Sequence, residues 1–280
     1  MSSVYEREFA FTHKDFEYIR DLVGERTGIV LSDHKVDMVY GRLARRLRQL
    51  DISSFQSYLS VLEDKSNSDE LIEFTNALTT NLTSFFREPH HFDFLLKKGI
   101  PDLLKRRPNK RLRIWSAGCS TGEEPYTLAI TLNEAIPNIK NWDVKILATD
   151  LDSNVVAKGK AGVYTQDRVN GIDKGRLNKW FKKGRNDLSD KVRVSQNLQD
   201  LITFKQLNLL HEWPMKGQFD FIFCRNVVIY FNKDTQRELF DRYADYLADD
   251  GYLIVGHSES LHKVSDRFKL LGKTIYSKVK

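Results

Sequence analysis

Cysteine is scarce in this sequence. Its two residues, Cys119 and Cys224 among 280, are too few to staple a disulfide scaffold. Both sit in or just after apolar strand patterns rather than at metal-ligand spacing, so no metal set is read from them and both are expected as small buried residues. Long apolar runs are missing too. No stretch approaches the ~20 residues that cross a bilayer, and the opening MSSVYEREFAF has acidic residues where a secretory signal has its apolar segment. A cytoplasmic chain without membrane insertion is the expectation. Internal repeats and low-complexity tracts are absent as well. What is present is 41% hydrophobic and 29% charged residues, enough for a real core and long enough for two domains. The net charge of +6 admits nucleic acid, anionic membrane or acidic protein as partner, so where the charge lies matters more than its total.

Residues 1 to about 80 read as helices only. Thr12 with Asp15, Ser32 with Asp33, Ser53 with Gln56, and Ser68 with Asp69 and Glu70 are each placed to open a helix. On the second helix, at 100° per residue, Val36, Val39, Leu43, Leu47 and Leu50 share one arc while Lys35, Arg42, Arg45 and Arg46 share another. One arc packs. The other is a dense cationic cluster without an interleaved acid, and it points to a polyanionic partner. Next, NLTSFFRE (81 to 88) reads as a connector between domains, where clefts are often lined. Phe85 and Phe86 suit interdomain packing, whereas Asn81, Thr83 and Arg87 are harder to explain by packing. A helix is expected from Pro89 to Lys98, closed by Gly99.

The stretch RLRIWSAGCSTGEEPYTLAI, from Arg111 to Ile130, is a βα unit. Leu112 and Ile114 alternate in a strand with Trp115 as the exception, Ala117 to Gly122 form a tight small-residue turn, and a helix starts at Glu123. Glycines let a backbone approach a nucleotide, and the amides at a helix start bind oxygens. Glu123 and Glu124 complement the helix dipole but repel a pyrophosphate at the same place. A ligand without phosphate is favoured, and S-adenosylmethionine (SAM) fits, with a cationic amino group and sulfonium and a ribose diol suited to a carboxylate. An ordinary α/β turn looks the same, so this unit by itself leaves both readings open.

DVKILATD (143 to 150) is a second strand ending in Asp150, where an acid can accept both ribose hydroxyls, although it lies further from the glycine turn than the ~20 residues of dinucleotide folds. SNVVAKGKAG follows as a helix. The pattern then breaks down from about 161 to 205, a mixture of basic clusters, a short helix and the strand-like KVRVSQ and LITFKQLN, read as a small antiparallel insertion at the sheet edge. Asn208 closes LITFKQLN, placed for an amide to meet adenine. Phe219 to Cys224 is a buried strand followed by the polar turn Arg225–Asn226 and VVIYF, and the carboxyl end of a central strand is where α/β enzymes place chemistry. A helix from Lys233 to Leu247, the strand YLIVGH and the closing TIYSKVK complete the sheet.

These pieces resemble the chemotaxis receptor methyltransferases, the CheR family. The matching segments are NLTSFFRE (81 to 88), AGCSTGEEPY (117 to 126), ATDLD (148 to 152), LNLL (207 to 210), FCRNVVIYF (223 to 231) and GHSESL (256 to 261), in order and across most of the chain. The resemblance implies an α/β fold, a Rossmann-like SAM-dependent methyltransferase sheet, with an N-terminal all-α domain (1–80), a connector and linker helix (81–98), and a methyltransferase domain (99–280) that carries the inserted antiparallel β-subdomain (161–205). It implies methyl transfer from SAM to glutamate side chains on the cytoplasmic helices of chemoreceptors, with S-adenosylhomocysteine (SAH) as product. It places cofactor contacts at Asn81, Thr83, Arg87, Glu124, Asp150, Asn208, Leu209, Arg225 and Asn226, and the catalytic pair at Arg87 and Tyr230. Glu124 is preferred to Glu123. In some relatives the inserted subdomain tethers a receptor C-terminal peptide, a question that turns here on RNDLSD (185 to 190).

The chemistry is compatible with these residues. A glutamate carboxylate is ionised at pH 7 and needs no general base, so orientation and desolvation remain. Arg87 can hold the carboxylate or contact the cofactor, and Tyr230 can donate to one oxygen or help align the sulfur. The cationic arc Lys35, Arg42, Arg45 and Arg46 is expected to dock the receptor, and the chain is expected to act as a monomer. A nucleic-acid methyltransferase is the main rival, but enzymes acting on exocyclic amines usually carry an Asn/Asp-Pro-Pro-aromatic turn where RNVVIYF stands. A non-catalytic SAM sensor would be expected to have lost Glu124, Asp150 or Tyr230, and all three are present.

Overall fold

The computed structural model describes residues 7–64 and 66–279. Residues 1–6, the start of the segment read above as unlike a signal sequence, lie outside the described residues. The chain divides into two compact units, Met1–Thr80 and Asn81–Lys280.

The first unit is built from α1 (His13–Thr27), α2 (Val36–Gln49), α3 (Phe55–Glu63) and α4 (Ser68–Leu78). Thr12 and Asp15 form a reciprocal capping box at the start of α1, and Gly28 ends that helix in the left-handed region. The other helix starts differ from expectation by a residue or a turn. A 3-10 turn, Asp33–Lys35, precedes α2 and Ser32 makes no side-chain cap. Ser54, rather than its neighbour Ser53, takes the Ser57 N–H ahead of α3, and Ser68 is the first residue of α4 rather than its cap. Adjacent polar residues offer the backbone equivalent acceptors, so spacing alone does not select between them. The apolar arc of α2 buries Val39, Leu43 and Leu47 in a cluster with Phe16, Ile19, Phe55 and Phe74, whereas Leu50, at the helix end, is exposed.

The second unit begins with α5 (Pro89–Phe94) and α6 (Ile100–Leu104), then β1 (Arg111–Ala117), α7 (Glu123–Ala135), β2 (Asp143–Asp150) and α8 (Ser153–Ala161). It continues through β3 (Val163–Thr165), α9 (Gln166–Val169), α10 (Lys174–Trp180), β4 (Phe181–Lys183), β5 (Lys191–Val194) and α11 (Gln196–Gln199). The last elements are β6 (Ile202–Gln206), β7 (Phe219–Cys224), α12 (Lys233–Tyr246), β8 (Leu247–Val255), β9 (Phe268–Gly272) and β10 (Ile275–Lys278). Gly99 does not close the first of these helices. A π turn, Leu95–Gly99, joins α5 to α6, and a Cβ on Gly99 would stand 3.0 Å from the Phe94 ring and 3.2 Å from the Phe221 ring. Close packing, not a left-handed cap, is the use made of that glycine.

Seven strands form one sheet in the order β6-β2-β1-β7-β8-β10-β9. The first five are parallel to their neighbours and β10 runs antiparallel to both β8 and β9. Helices cover both faces, as parallel sheets require. One face buries Leu112, Ile114, Phe221 and Phe223 with Leu128 and Leu132 of α7, and the other buries Trp115, Ile222 and Cys224 with Leu239, Phe240 and Tyr243 of α12. Trp115 is therefore no exception to the strand pattern: it faces the second layer, edge-on to Trp213 at 4.6 Å between ring centroids. The small sheet, β3-β5-β4, is antiparallel. LITFKQ does not belong to it. Ile202–Gln206 pairs in parallel with Ile146–Asp150 as the edge of the large sheet, so the separate antiparallel sheet ends at Val194 rather than at 205. No helix among the described residues is long and apolar enough to cross a membrane.

Candidate active site

The strand order reverses direction at β1, with β2 on one side and β7 on the other, and in open α/β sheets ligands bind at the carboxyl ends of the strands at such a point. Register brings the three ends together: Ala117 pairs with Thr149 and Ser116 with Phe223. The glycine turn, Asp150 and the Arg225–Asn226 turn therefore share one edge of the sheet.

The glycines of the turn serve the protein's own packing. Gly118 and Gly122 both have φ of +98°, which only glycine adopts at little cost. A Cβ on Gly118 would stand 2.3 Å from Cγ2 of Val227 in the turn after β7, and one on Gly122 would stand 2.8 Å from Cα of Gly159 in α8. Asp150 ties the neighbouring segments to this turn. Its Oδ2 accepts the Ser120 N–H at 2.8 Å and its Oδ1 accepts the Asp152 N–H at 3.0 Å. Burial pushes its carboxyl up to about 6, against the pull of those two N–H bonds. Asn81 joins the same network, donating from Nδ2 to Asp152 Oδ2 at 2.7 Å and accepting the Ser120 hydroxyl at its carbonyl at 2.9 Å.

The two acids that open α7 are both buried, and neither stands alone. Glu123 is ion-paired with Arg168 of α9 and accepts the Thr121 hydroxyl at 2.6 Å. Glu124 accepts the Ser116 hydroxyl at 2.7 Å and Nη1 of Arg225 at 2.9 Å. A ligand at this helix start thus meets two ion pairs rather than the two bare negative charges inferred from sequence. Arg225 is the hub: besides Glu124 it donates from Nη2 to the Arg87 carbonyl and lies 3.4 Å from Glu88 Oε2. Burial of Glu88 opposes its charge, but the hydrogen bond from His257 and the nearby Arg225 outweigh that and hold the carboxyl down at about 2. Burial, then Arg225, keeps His91 beside it neutral, with its pKa at about 3. Glu88, His90 and His91 bring ligand atoms within 4.8 Å of one another, but Arg225 already supplies positive charge at Glu88.

The connector contributes through its backbone as much as its side chains. Arg168 donates to the Thr83 carbonyl at 2.9 Å, and Nη1 of Arg87 donates to the Leu82 carbonyl at 2.8 Å. Phe85 packs edge-on against Tyr164 and Phe181 of the small sheet at 5.0 and 5.4 Å, and Phe86 lies under Arg176 and near Phe92, so both phenylalanines pack within the second unit. After β6, Asn208 closes a turn on the Leu210 N–H at 3.0 Å with its amide oxygen. Leu209 is buried, and its carbonyl takes the Trp213 and Arg242 side chains. Asn226, at φ of +59°, and Tyr230, at the end of the 3-10 turn Val228–Tyr230, sit on the segment after β7.

The cationic arc of α2 is broken up. Arg46 is ion-paired with Glu70 of α4, whose carboxylate also takes the Tyr58 hydroxyl at 2.7 Å. Arg42 donates to the Thr79 carbonyl at 2.6 Å, capping the end of α4. Lys35 and Arg45 are the exposed members. The acid that sequence spacing did not find comes from another helix.

Sequence reading assigned no role to four residues that hold this site together: Asp152, Arg168, Glu88 and Glu259. Asp152 carried a signal, as the acid that caps α8. The others are paired with partners distant in the chain.

Residues 81–277 match the family model described as CheR methyltransferase, SAM binding domain, and residues 14–79 match CheR methyltransferase, all-alpha domain. With the switch-point site of a parallel α/β sheet, this makes the chain a SAM-dependent methyltransferase. It belongs to the CheR methyltransferase family. It is 43% identical over 273 residues to the chemotaxis protein methyltransferase of Salmonella typhimurium, covering 97% of this chain and 92% of that protein. The corresponding protein of Escherichia coli is 42% identical over 270 residues, with 96% and 92% covered. Chemotaxis protein methyltransferase 2 of Pseudomonas aeruginosa is 42% identical over 272 residues, with 97% and 95% covered.

Proposed function

We propose that this chain methylates glutamate side chains on the cytoplasmic helices of chemoreceptors, working in the cytoplasm as a monomer with no nucleic-acid partner. The observation that carries the reading is the extent of the likeness: relatives named chemotaxis protein methyltransferases align with both units, over 96% of this chain or more. SAM supplies a methyl group on a sulfonium. A receptor carboxylate, ionised at pH 7, forms the new C–O bond as the S–C bond breaks, leaving a methyl ester and SAH, and no proton has to be removed. The work of the protein is then to orient the carboxylate and exclude water.

For the cofactor, Asp150 accepts the ribose hydroxyls, with Asn81, Thr83, Arg87, Glu124, Asn208, Leu209, Arg225 and Asn226 as the remaining contacts. The residues fit such a group: Asp150 is an acid at a strand end, and Nε of Arg225 is a buried donor with no partner among the described residues, suited to a carboxylate. An adenine contact from Asn208 competes with the bonds it already makes, since Oδ1 accepts the Leu210 N–H at 3.0 Å and Nδ2 faces Nε2 of His211 at 3.4 Å. Arg87 and Tyr230 are the catalytic pair. The reading is tested by incubating the protein with methyl-labelled SAM and a receptor signalling fragment, then measuring alkali-labile label on glutamates. Binding of SAH without any such label would reject the receptor substrate while leaving the enzyme class intact.

Tyr230→Phe is expected to lower kcat by about 10- to 100-fold at saturating cofactor while changing SAH affinity by less than about threefold, because its hydroxyl serves the transition state. Arg87→Ala is expected to act in the same direction. A single-turnover rate equal to wild type in Tyr230→Phe would remove that residue from the mechanism. The receptor helices present several glutamates and so are locally acidic, which fits docking on Lys35 and Arg45, with Arg42 and Arg46 shaping the same surface from their structural positions. Lys35→Glu with Arg45→Glu should raise the receptor KM about tenfold and leave SAH binding alone, with an effect that shrinks as salt screens it. Unchanged KM and salt-insensitive methylation would move the docking surface elsewhere.

A further inference from the structure

We infer that Glu259 is the positioning residue for the segment that carries Arg225, Asn226 and Tyr230. The inference deepens the reading of the active site above and rests on it. Glu259 lies in the loop after β8 and is buried. Its carboxylate makes no ion pair among the described residues, and both oxygens are taken by backbone. Oε2 accepts the N–H of Asn226 at 2.8 Å and that of Gly256 at 2.5 Å. Oε1 accepts the N–H of Val227 at 2.8 Å and that of Val228 at 2.9 Å. Three successive amides of the turn after β7 therefore converge on one side chain from a different loop. Asn226 is held at φ of +59°, a region non-glycine residues rarely occupy, and the 3-10 turn that begins at Val228 ends on Tyr230. The turn has no side-chain cap of its own, so this carboxylate takes that place from outside.

The same contacts reach the glycine turn. Val227, fixed by Glu259, is the residue against which Gly118 packs without room for a Cβ. A shift of the 225–230 segment would displace Tyr230 and disturb the turn after β1 at the same time. Interaction with four N–H donors, two on each oxygen, is a demand only a carboxylate meets. A carboxamide has the same shape but turns an NH2 group toward two of those donors, whichever way it flips. A shorter carboxylate keeps the acceptors and the charge and loses only reach.

This gives an order of variants that packing alone would reverse. At a temperature where near-UV circular dichroism shows each variant folded, kcat is expected to fall about 30-fold or more in Glu259→Gln and by a similar factor in Glu259→Ala. Glu259→Asp should recover a substantial part of it. SAH affinity, read by calorimetry without any receptor, should follow the same order, since Arg225 and Asn226 ride on the segment. If Glu259 only fills space, Gln behaves as wild type and Asp is the worse of the two, and that result overturns the proposal. So does wild-type turnover and SAH binding in Glu259→Ala. Should Gln and Ala fail to fold at any temperature while Asp folds, Asp that keeps a substantial part of turnover and SAH binding supports the positioning role, and Asp that folds but is as inactive as a Tyr230 variant overturns it. Failure of the Tyr230 assignment itself is read separately, from Tyr230→Phe at full activity, and leaves the Glu259 order standing as measured by SAH binding.

Discussion

Replacing Arg225 by methionine is expected to cost the second unit about 3–5 kcal/mol, the range for breaking a buried ion pair by removing one partner. The methionine fills much of the volume but leaves one buried carboxylate, Glu124, and one half-buried one, Glu88, behind. Glu124 would keep only the Ser116 hydroxyl, and Glu88 would keep His257 as its hydrogen-bond donor. The Arg87 carbonyl would lose its donor as well. For a domain of this size, each kcal/mol moves Tm by about 2–4 °C, so calorimetry should show a fall of roughly 6–20 °C. Arg225→Lys, which keeps the charge but cannot bridge three acceptors with a fixed fork, should lie between. A fall of less than about 3 °C for the methionine variant would mean that the two acids find other partners, and the hub role would have to be given up.

The layout of the sheet was legible because it is written in local pattern. Strands buried on both faces read as apolar runs, and the turns after them are polar or small. That is why β1, β2, β7 and the starts of α7 and α12 lie where periodicity puts them, and why Asp150 could be named from its place at a strand end. Gly99 failed for a physical reason. The same residue serves as a left-handed cap and as a gap for a ring, and here two rings take the gap, Phe94 at 3.0 Å and Phe221, far along the chain, at 3.2 Å. The pairing of β6 with β2 failed similarly, since Ile202–Gln206 is a half-exposed edge strand whose partner is chosen by register with Ile146–Asp150 rather than by its own composition.

The residues of the candidate site can be named from the sequence, but their bonds cannot. Glu124, Arg225, Asp150 and Asn81 were all nameable, yet that Arg225 grips Glu124 rather than facing a ligand alone is a contact between residues 101 positions apart. The arc on α2 shows the same limit in reverse. A helical wheel sees Arg42 and Arg46 as surface charge because Glu70 and the carbonyl end of α4 are not on the wheel. Charge reversal at Arg46 strikes the Glu70 pair that holds the helical unit as much as any docking surface, whereas Lys35 and Arg45 are exposed.

Asp150→Asn should weaken SAH binding by about 1–3 kcal/mol, the range for a lost hydrogen bond to a charged group, or roughly 5- to 150-fold in Kd. Two effects act together. The ribose loses a charged acceptor. In addition, an amide supplies one oxygen where the carboxylate supplies two, so either the Ser120 N–H or the Asp152 N–H faces an NH2 group. The glycine turn or the start of α8 then loosens, and the upper part of the range is favoured. The wild-type protein should also show a pH dependence that the variant lacks. With the carboxyl raised to about 6 by burial, the form that accepts both hydroxyls predominates above that pH and is lost below it. Affinity should therefore be level above about pH 7 and fall as pH drops through 6, approaching tenfold per unit. Binding lowers the pKa of a carboxylate that gains two donors, so complex formation near pH 6 should release protons, measurable as a dependence of the calorimetric heat on buffer ionisation enthalpy. Asp150→Asn should bind weakly with no such slope and no proton release. A wild-type affinity that is flat from pH 5 to 8, or an Asn variant that keeps the slope, would take the ribose contact away from Asp150.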